Sequence, residues 1–288
     1  MQKKISIIVC TVGPNKNLEK LLNSISEQDH LPLEVIIVTY KKILNIKKYK
    51  FKIIIVKSPK KNQVYQRNLG IKYLNKFCKF ILQLDNRIIL DKKCLYELEK
   101  KWQSVSENVV GIGLNQKKDL HNAGFLNHIM QLFNLSGKVF SFGLNVNYSN
   151  LKKDLQVDWL KGGMSSWKVK HISSLFPRKY TSWNWAVGED VEFSLMKEKK
   201  QKLIVNQKSK AFVIDIKKKS MKNLFHRGYL HFLSKKRISK KLKCNIAYFI
   251  LINCLIILSS FIINMVLIRL DKVYYNFGQV KALSKSYL

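Results

Sequence analysis

The N-terminal part of the chain switches repeatedly between two periodicities, and that switching constrains the fold more than any other feature. Residues 5–11 (ISIIVCT), 33–40 (LEVIIVTY), 51–58 (FKIIIVKS) and 79–85 (KFILQLD) are nearly continuous runs of β-branched and other apolar residues. Such runs suit strands that are buried on both faces. Between them, residues 15–28 (NKNLEKLLNSISEQ) place Leu18, Leu21, Leu22 and Ile25 on one helical face, and a second helix is expected from about Gln63 to Phe77. Strands that alternate with helices build an α/β fold, a sheet flanked by helices. Ligands of such sheets sit beyond the C-terminal strand ends, here Thr11, Thr39 and Asp85.

The pattern weakens over residues 115–155, where Gly, Asn, Phe and Leu are scattered without a period. Order returns with VDWLKGGMSSWKV, then YTSWNWAVGEDVEFSLM with a helix expected from Glu189, then two strand-like pieces, KLIVN and KAFVIDI. The C-terminal part is different again. Residues 246–268 (IAYFILINCLIILSSFIINMVLI) carry no charge. The run is long enough to cross a hydrocarbon core of about 30 Å or to embed in it as a hairpin, and a buried helix or helical hairpin of a soluble domain is the alternative. Lysines and arginines crowd its N-terminal flank, and the positive-inside rule puts that flank, with the large domain, on the cytoplasmic side. The expected division is a catalytic-type domain over residues 1–222 and basic, hydrophobic membrane-associated helices over 223–288.

Composition narrows the partners. The 53 Lys and Arg against 18 Asp and Glu leave a net charge of +35, which attracts polyanions such as anionic lipid, phosphorylated substrates or nucleic acid. Nucleic acid is set aside, because no helix-turn-helix, zinc module or aromatic ribonucleoprotein motif is legible. The five cysteines are odd in number and lack a C-x-x-C spacing, which points to a reducing compartment and against a zinc cluster. The N-terminal residues read as a first strand rather than a secretory signal.

Acids are scarce, so their positions count. Asp85 ends a strand in FILQLDNRIILD and is either a ligand contact or a turn former. Glu189 and Asp190 open a helix, where acids also stabilise the helix dipole. The aromatics before them, Tyr180, Trp183 and Trp185, would offer flat faces to a sugar ring or fill a core.

In order and spacing, SIIVCTVG, EVIIVTY, QRNLGI, FILQLDNR, GGMSSWK and GEDVEFSLM resemble the family 2 glycosyltransferases of the GT-A fold, over residues 3–215. The resemblance implies a Rossmann-like mixed sheet flanked by helices. It also implies transfer of a sugar from a nucleotide-diphosphate sugar to a glycan or lipid-linked acceptor, in cell-surface polysaccharide synthesis at the cytoplasmic face of a bacterial inner membrane. Thr11, Val12 and Thr39 would line the nucleotide pocket, Arg67 and Asn68 would hold the donor or its neighbouring loop, and Asp85 would meet the donor and its metal. Asp190 would be the general base of an inverting reaction, with Gly163, Trp185 and Glu189 supporting the site or the acceptor. His226 or Arg227 would approach the diphosphate, unless their basic segment lies on anionic headgroups. One departure bears on the cofactor, Mg²⁺ or Mn²⁺: the family's D-x-D reads Asp85-Asn86-Arg87, and a guanidinium cannot ligate a cation. Arg87 would then pair with the diphosphate itself. The rival reading is a catalytically inactive relative that binds or scaffolds at the membrane.

Overall fold

The computed structural model describes residues 4–42, 46–117, 125–172, 187–214 and 221–287. They form two compact units, Met1–Asn122 with Tyr148–Asp215, and Ala123–Asn147 with Ile216–Leu288. Residues 123–147, which the sequence leaves with the larger domain, thus fall in the unit of the C-terminal helices.

The first unit is a nine-stranded mixed sheet flanked by helices. Its elements are β1 (Ile5–Thr11), α1 (Lys16–Ser26), β2 (Glu34–Thr39), β3 (Lys52–Lys57), α2 (Gln63–Ile71), β4 (Phe80–Asp85), β5 (Ile88–Leu90), α3 (Cys94–Ser104) and β6 (Val109–Gln116). After α4 (Phe125–Leu132), which belongs to the second unit, come β7 (Leu155–Val157), β8 (Met164–Lys168), α5 (Glu189–Ser194) and β9 (Lys202–Val213). The sheet runs β3-β2-β1-β4-β8-β6-β9-β5, with β7 also paired to β9. The first four strands in that order are parallel, and β8 enters antiparallel between β4 and β6.

Side-chain alternation gives each face its cover. Ile7, Val9, Leu82 and Leu84 share one core with Leu21, Leu22 and Ile25 of α1 and with Leu95, Leu98 and Trp102 of α3. Full burial of one such side chain contributes about 1.5–3 kcal/mol. Helix α1 starts where the Asn15 side chain accepts the Leu18 N–H at 3.0 Å, and α2 starts where Asn62 accepts the Tyr65 N–H at 2.8 Å. Helix α2 lies over β1 and β2 and ends at Ile71 rather than near Phe77. Three successive bonds from Lys72, Tyr73 and Leu74 to carbonyls three residues back tighten its end, and Asn75 then caps a turn by accepting the Phe77 N–H.

The strand-like pieces KLIVN and KAFV are one strand, β9, with a bulge, which ends at Val213. The register slips where Leu114 faces Asn206 and Asn115 faces Lys210. Asn206 fixes that bulge by donating to the Glu97 carbonyl at 3.0 Å and to the Ser209 hydroxyl at 2.7 Å.

The second unit contains α4, α6 (Met221–Lys241), α7 (Ile246–Val266) and α8 (Leu270–Tyr287). Its core joins Phe142 and Leu144 to Phe232, Phe249, Ile257 and Ala282. Helix α7 is long and apolar enough to cross a membrane by length and composition, and most of its surface is not covered within the fold.

Candidate active site

Strands β1, β2 and β4 end level with one another, Thr11 opposite Thr39 and Cys10 opposite Asp85. Asp85 is half-buried at the end of β4. One of its carboxylate oxygens accepts from the Gln63 side chain and lies 3.8 Å from the Arg67 guanidinium. Gln63 and Arg67 are one turn apart on α2, so both face the strand end. Its spacing from Arg67 is the mark that Gln63 carries in the sequence; its contact with Asp85 is tertiary.

Arg67 does not reach outward. It is 3% exposed and makes a 3.1 Å ion pair with Glu189 of α5. Burial disfavours its charge, and Glu189, Asp85 and Asp190 more than offset that effect. Asn68, beside it, is also buried. Both residues therefore belong to the floor of the site.

Asp190 is half-buried, and two backbone donors fix its carboxylate: Gly162 N–H at 3.2 Å and Val191 N–H at 2.9 Å. Its own carbonyl accepts from the Ser194 hydroxyl at 2.7 Å, and that hydroxyl accepts the Leu160 N–H at 3.0 Å. Helix α5 is thereby tied to the loop that carries Gly162 and Gly163. A Cβ on Gly162 would stand 2.9 Å from the Arg67 guanidinium and 3.1 Å from the Asp190 Cβ, and one on Gly163 would stand 2.5 Å from the Asp85 carboxylate carbon. The two glycines are small because the acids close on them from both sides. Gly162 is a second residue that sequence reasoning quotes without giving a role.

The structure thus brings Asp85, Arg67, Glu189, Asp190, Gly162 and Gly163 together. Thr11 is buried at the end of β1: its hydroxyl donates to the Gly13 carbonyl at 2.8 Å and accepts from the Asn86 side chain at 3.1 Å. Gln66 ties the ends of β1 and β2 by donating to the Thr11 and Val38 carbonyls at 2.7 and 3.1 Å. The Thr39 hydroxyl donates to the Lys41 carbonyl at 2.6 Å, and Val12 is exposed. Arg87 sits in the turn between β4 and β5 with its side chain exposed, its carbonyl held by the Ile214 N–H at 2.7 Å. Tyr180, Trp183 and Trp185 lie outside the described residues. His226 and Arg227 stand on α6 in the second unit.

Burial, then repulsion from Asp190, pushes Glu189 up to about 7, against the pull of Arg67, and burial likewise raises Asp190. Cys10 is no nucleophile, since burial drives its thiol up to about 12. The raised Glu189 pKa makes the stability of the fold depend on pH. The folded chain holds a proton that the unfolded chain releases, so this contribution is complete below about 4.5 and is lost as pH rises through about 7. The stability advantage of the wild type over Glu189→Gln is therefore expected to shrink between pH 5 and 8 in thermal denaturation. A difference that stays constant with pH would show that Glu189 does not titrate there.

No family model matches the sequence, and no curated protein sequence matches it. Solved structures do match. Mannosyltransferase PcManGT from Pyrobaculum calidifontis, in complex with GDP-Man and Mn²⁺, superposes with a TM-score of 0.58 at 12% identity, over 98% of this chain and 88% of that one. S. aureus TarS 1-349 in complex with UDP-GlcNAc gives 0.56 at 15% identity, over 86% of this chain and 69% of that one. GalNAc-T7 with UDP, GalNAc and Mn²⁺ gives 0.55 at 11% identity, over 74% of this chain and 44% of that one. Of the longer TarS chain, this protein covers 39%. The fold is that of the GT-A glycosyltransferases.

Proposed function

We propose that the chain is a glycosyltransferase of the family 2 type. It moves a sugar from a nucleoside-diphosphate donor to a glycan or lipid-linked acceptor, with inversion at the anomeric carbon. The observation that carries this reading is the joining of the strand-end acid Asp85 to the helix-start acid Asp190 through buried Arg67 and the Gly162-Gly163 pair. The donors named for TarS and PcManGT, UDP-GlcNAc and GDP-Man, support the substrate class.

In this reading the acceptor hydroxyl attacks the anomeric carbon while the bond to the diphosphate breaks. A sugar hydroxyl is a poor nucleophile until a base takes its proton in the transition state. Asp190 is the base: its backbone donors aim the carboxylate, and burial makes it more basic than an exposed aspartate. Glu189 stays with Arg67 as the positioning pair, and Asp85 at the strand end meets the donor.

The leaving diphosphate needs positive charge. In related chemistry a divalent cation supplies it, and PcManGT and GalNAc-T7 are described with Mn²⁺. The residues here do not make a two-carboxylate metal site. Asn86 is turned onto Thr11, Arg87 is itself a cation, and Arg67 already stands between Asp85 and Glu189. Among the described residues no group of three His, Cys, Asp or Glu could hold a metal ion. Arg87 in the exposed turn takes over part of the neutralisation. Titration of UDP and GDP into purified protein is expected to give binding that survives EDTA within about threefold. Arg87→Ala should weaken it about 10-fold or more, as loss of a charged hydrogen bond does. Binding only with Mn²⁺, unchanged in Arg87→Ala, would sink the idea.

The apolar α7 and its basic flanks favour work at a membrane, with the denser flank on the cytoplasmic side; in this reading the membrane is a bacterial inner membrane and the pathway is cell-surface polysaccharide synthesis. Arg87 in the place of the family's second acid favours one other reading, a relative that binds nucleotide sugar without turning it over.

A further inference from the structure

Helix α7 has the length and composition of a spanning helix, yet other helices hold it at both ends. Its N-terminal half is held by α6, where the Phe232 and Phe249 rings meet at 5.7 Å and the Lys235 ammonium donates to the Asn253 side chain at 3.2 Å. Asn253 is fully buried and also donates to the Phe142 carbonyl at 3.1 Å. The C-terminal half is held by α8: Ser260 and Asn276 exchange hydrogen bonds at 3.3 Å, and the Phe261 and Phe277 rings meet at 5.5 Å.

Helices α6 and α8 in turn touch backbone to backbone. A Cβ on Gly228 would lie 2.0 Å from the Tyr275 carbonyl oxygen, and one on Gly278 would lie 2.0 Å from that of Phe225. Helix α6 is therefore packed closely on α8, and α7 lies against both through side chains. Were α7 to span a bilayer, α6 and α8 would be drawn towards hydrocarbon with it, carrying Lys236, Arg237 and Lys281, and charges there are costly.

The uncovered surface supports the same arrangement. Tyr248, Leu251, Leu255, Leu258, Ile262 and Met265 recur every three or four residues, so the exposed side chains of α7 form one stripe. Leu270, Tyr274 and Phe277 are exposed on α8, next to it through the Phe261–Phe277 contact. Exposed cations stand at both ends of that stripe, Lys240, Lys241 and Lys243 before α7, and Arg269 and Lys272 after it. A spanning helix would put these groups on opposite leaflets. An in-plane helix sets all of them among the headgroups of one leaflet, where anionic lipid is their complement.

We infer that α7 and α8 form a monotopic membrane-docking face, immersed in one leaflet of an anionic bilayer, with α6 behind it on the aqueous side. The inference rests on the membrane association proposed above and specifies its form. Two measurements on the full-length chain test it. In the first, Cys254→Ala protein keeps native Cys244 as a thiol before α7, and a second variant, Cys244→Ala/Cys254→Ala/Lys272→Cys, places one after it. A membrane-impermeant maleimide is added to right-side-out and inverted vesicles prepared from cells that express each variant. Both thiols are expected to react in the same orientation of vesicle. Reaction of the two in opposite orientations would overturn the flat arrangement and leave membrane association intact.

In the second, purified protein is sedimented with phosphatidylcholine vesicles with and without phosphatidylglycerol. Binding is expected to be at least tenfold tighter to the anionic vesicles. Lys240→Gln/Lys241→Gln/Lys243→Gln should lose most of that gain, at roughly fivefold per lysine. A protein that stays soluble with both vesicles, or buries the stripe in a stable dimer instead, would overturn membrane association itself.

Discussion

Asp190→Asn is expected to lower sugar transfer by about 10²- to 10⁴-fold, the usual contribution of a positioned general base. Donor binding should stay within about twofold, because the amide is isosteric and its oxygen can keep one of the two backbone donors that hold Asp190. Steady-state kinetics with donor titration separate the two effects: a fall in kcat at nearly constant KM for donor marks a group that acts in the transition state. Glu189→Gln makes the contrast. It removes the partner of Arg67 and leaves the backbone donors of Asp190 in place, so turnover should persist. If Asp190→Asn kept its rate and Glu189→Gln lost it, the base would be Glu189.

Arg67→Met is expected to be the most destabilising of the site substitutions. The guanidinium is 3% exposed and lies 3.1 Å from Glu189 and 3.8 Å from Asp85, with Asp190 adding to the same field. Removing one partner of a buried ion pair leaves uncompensated charge and costs about 3–5 kcal/mol. In a domain of this size that should lower the melting temperature by about 10 °C. The double variant Arg67→Met/Glu189→Met restores an uncharged contact and is expected to recover much of the loss, since well-packed apolar replacements of buried pairs are often nearly neutral. A single variant that melts with the wild type would mean that Arg67 is solvated.

What was legible in the sequence follows from what is local. Ile7, Val9, Leu82 and Leu84, or Leu18, Leu21 and Leu22, announce their faces through periods of two and 3.6, so the parallel strands and α1 could be read directly. The bulge in β9 was hidden, because NQKS breaks the period just where Asn206 turns its side chain onto Glu97 and Ser209. The strand ends at Thr11 and Asp85 were legible from the turn residues that follow them, Gly13-Pro14 and Asn86. The clamp was not: Arg67 and Glu189 are 122 residues apart, and nothing in either segment states that they meet. The partners of Asp190 were hidden for the same reason, since Gly162 contributes a backbone N–H that its side-chain identity does not advertise. Residues 140–144 look featureless alone and gain a role only when Phe142 meets Phe232, Phe249 and Asn253.

The most direct measurement is nucleoside diphosphate release by the full-length protein in phosphatidylglycerol-containing vesicles, with UDP- and GDP-sugars offered beside a membrane lipid extract as acceptor source. The expected result is many turnovers with at least one donor, abolished in Asp190→Asn. Saturable donor binding with no release for any donor, in protein whose Arg67-dependent melting is intact, would contradict the enzyme and leave a nucleotide-sugar binding protein in its place.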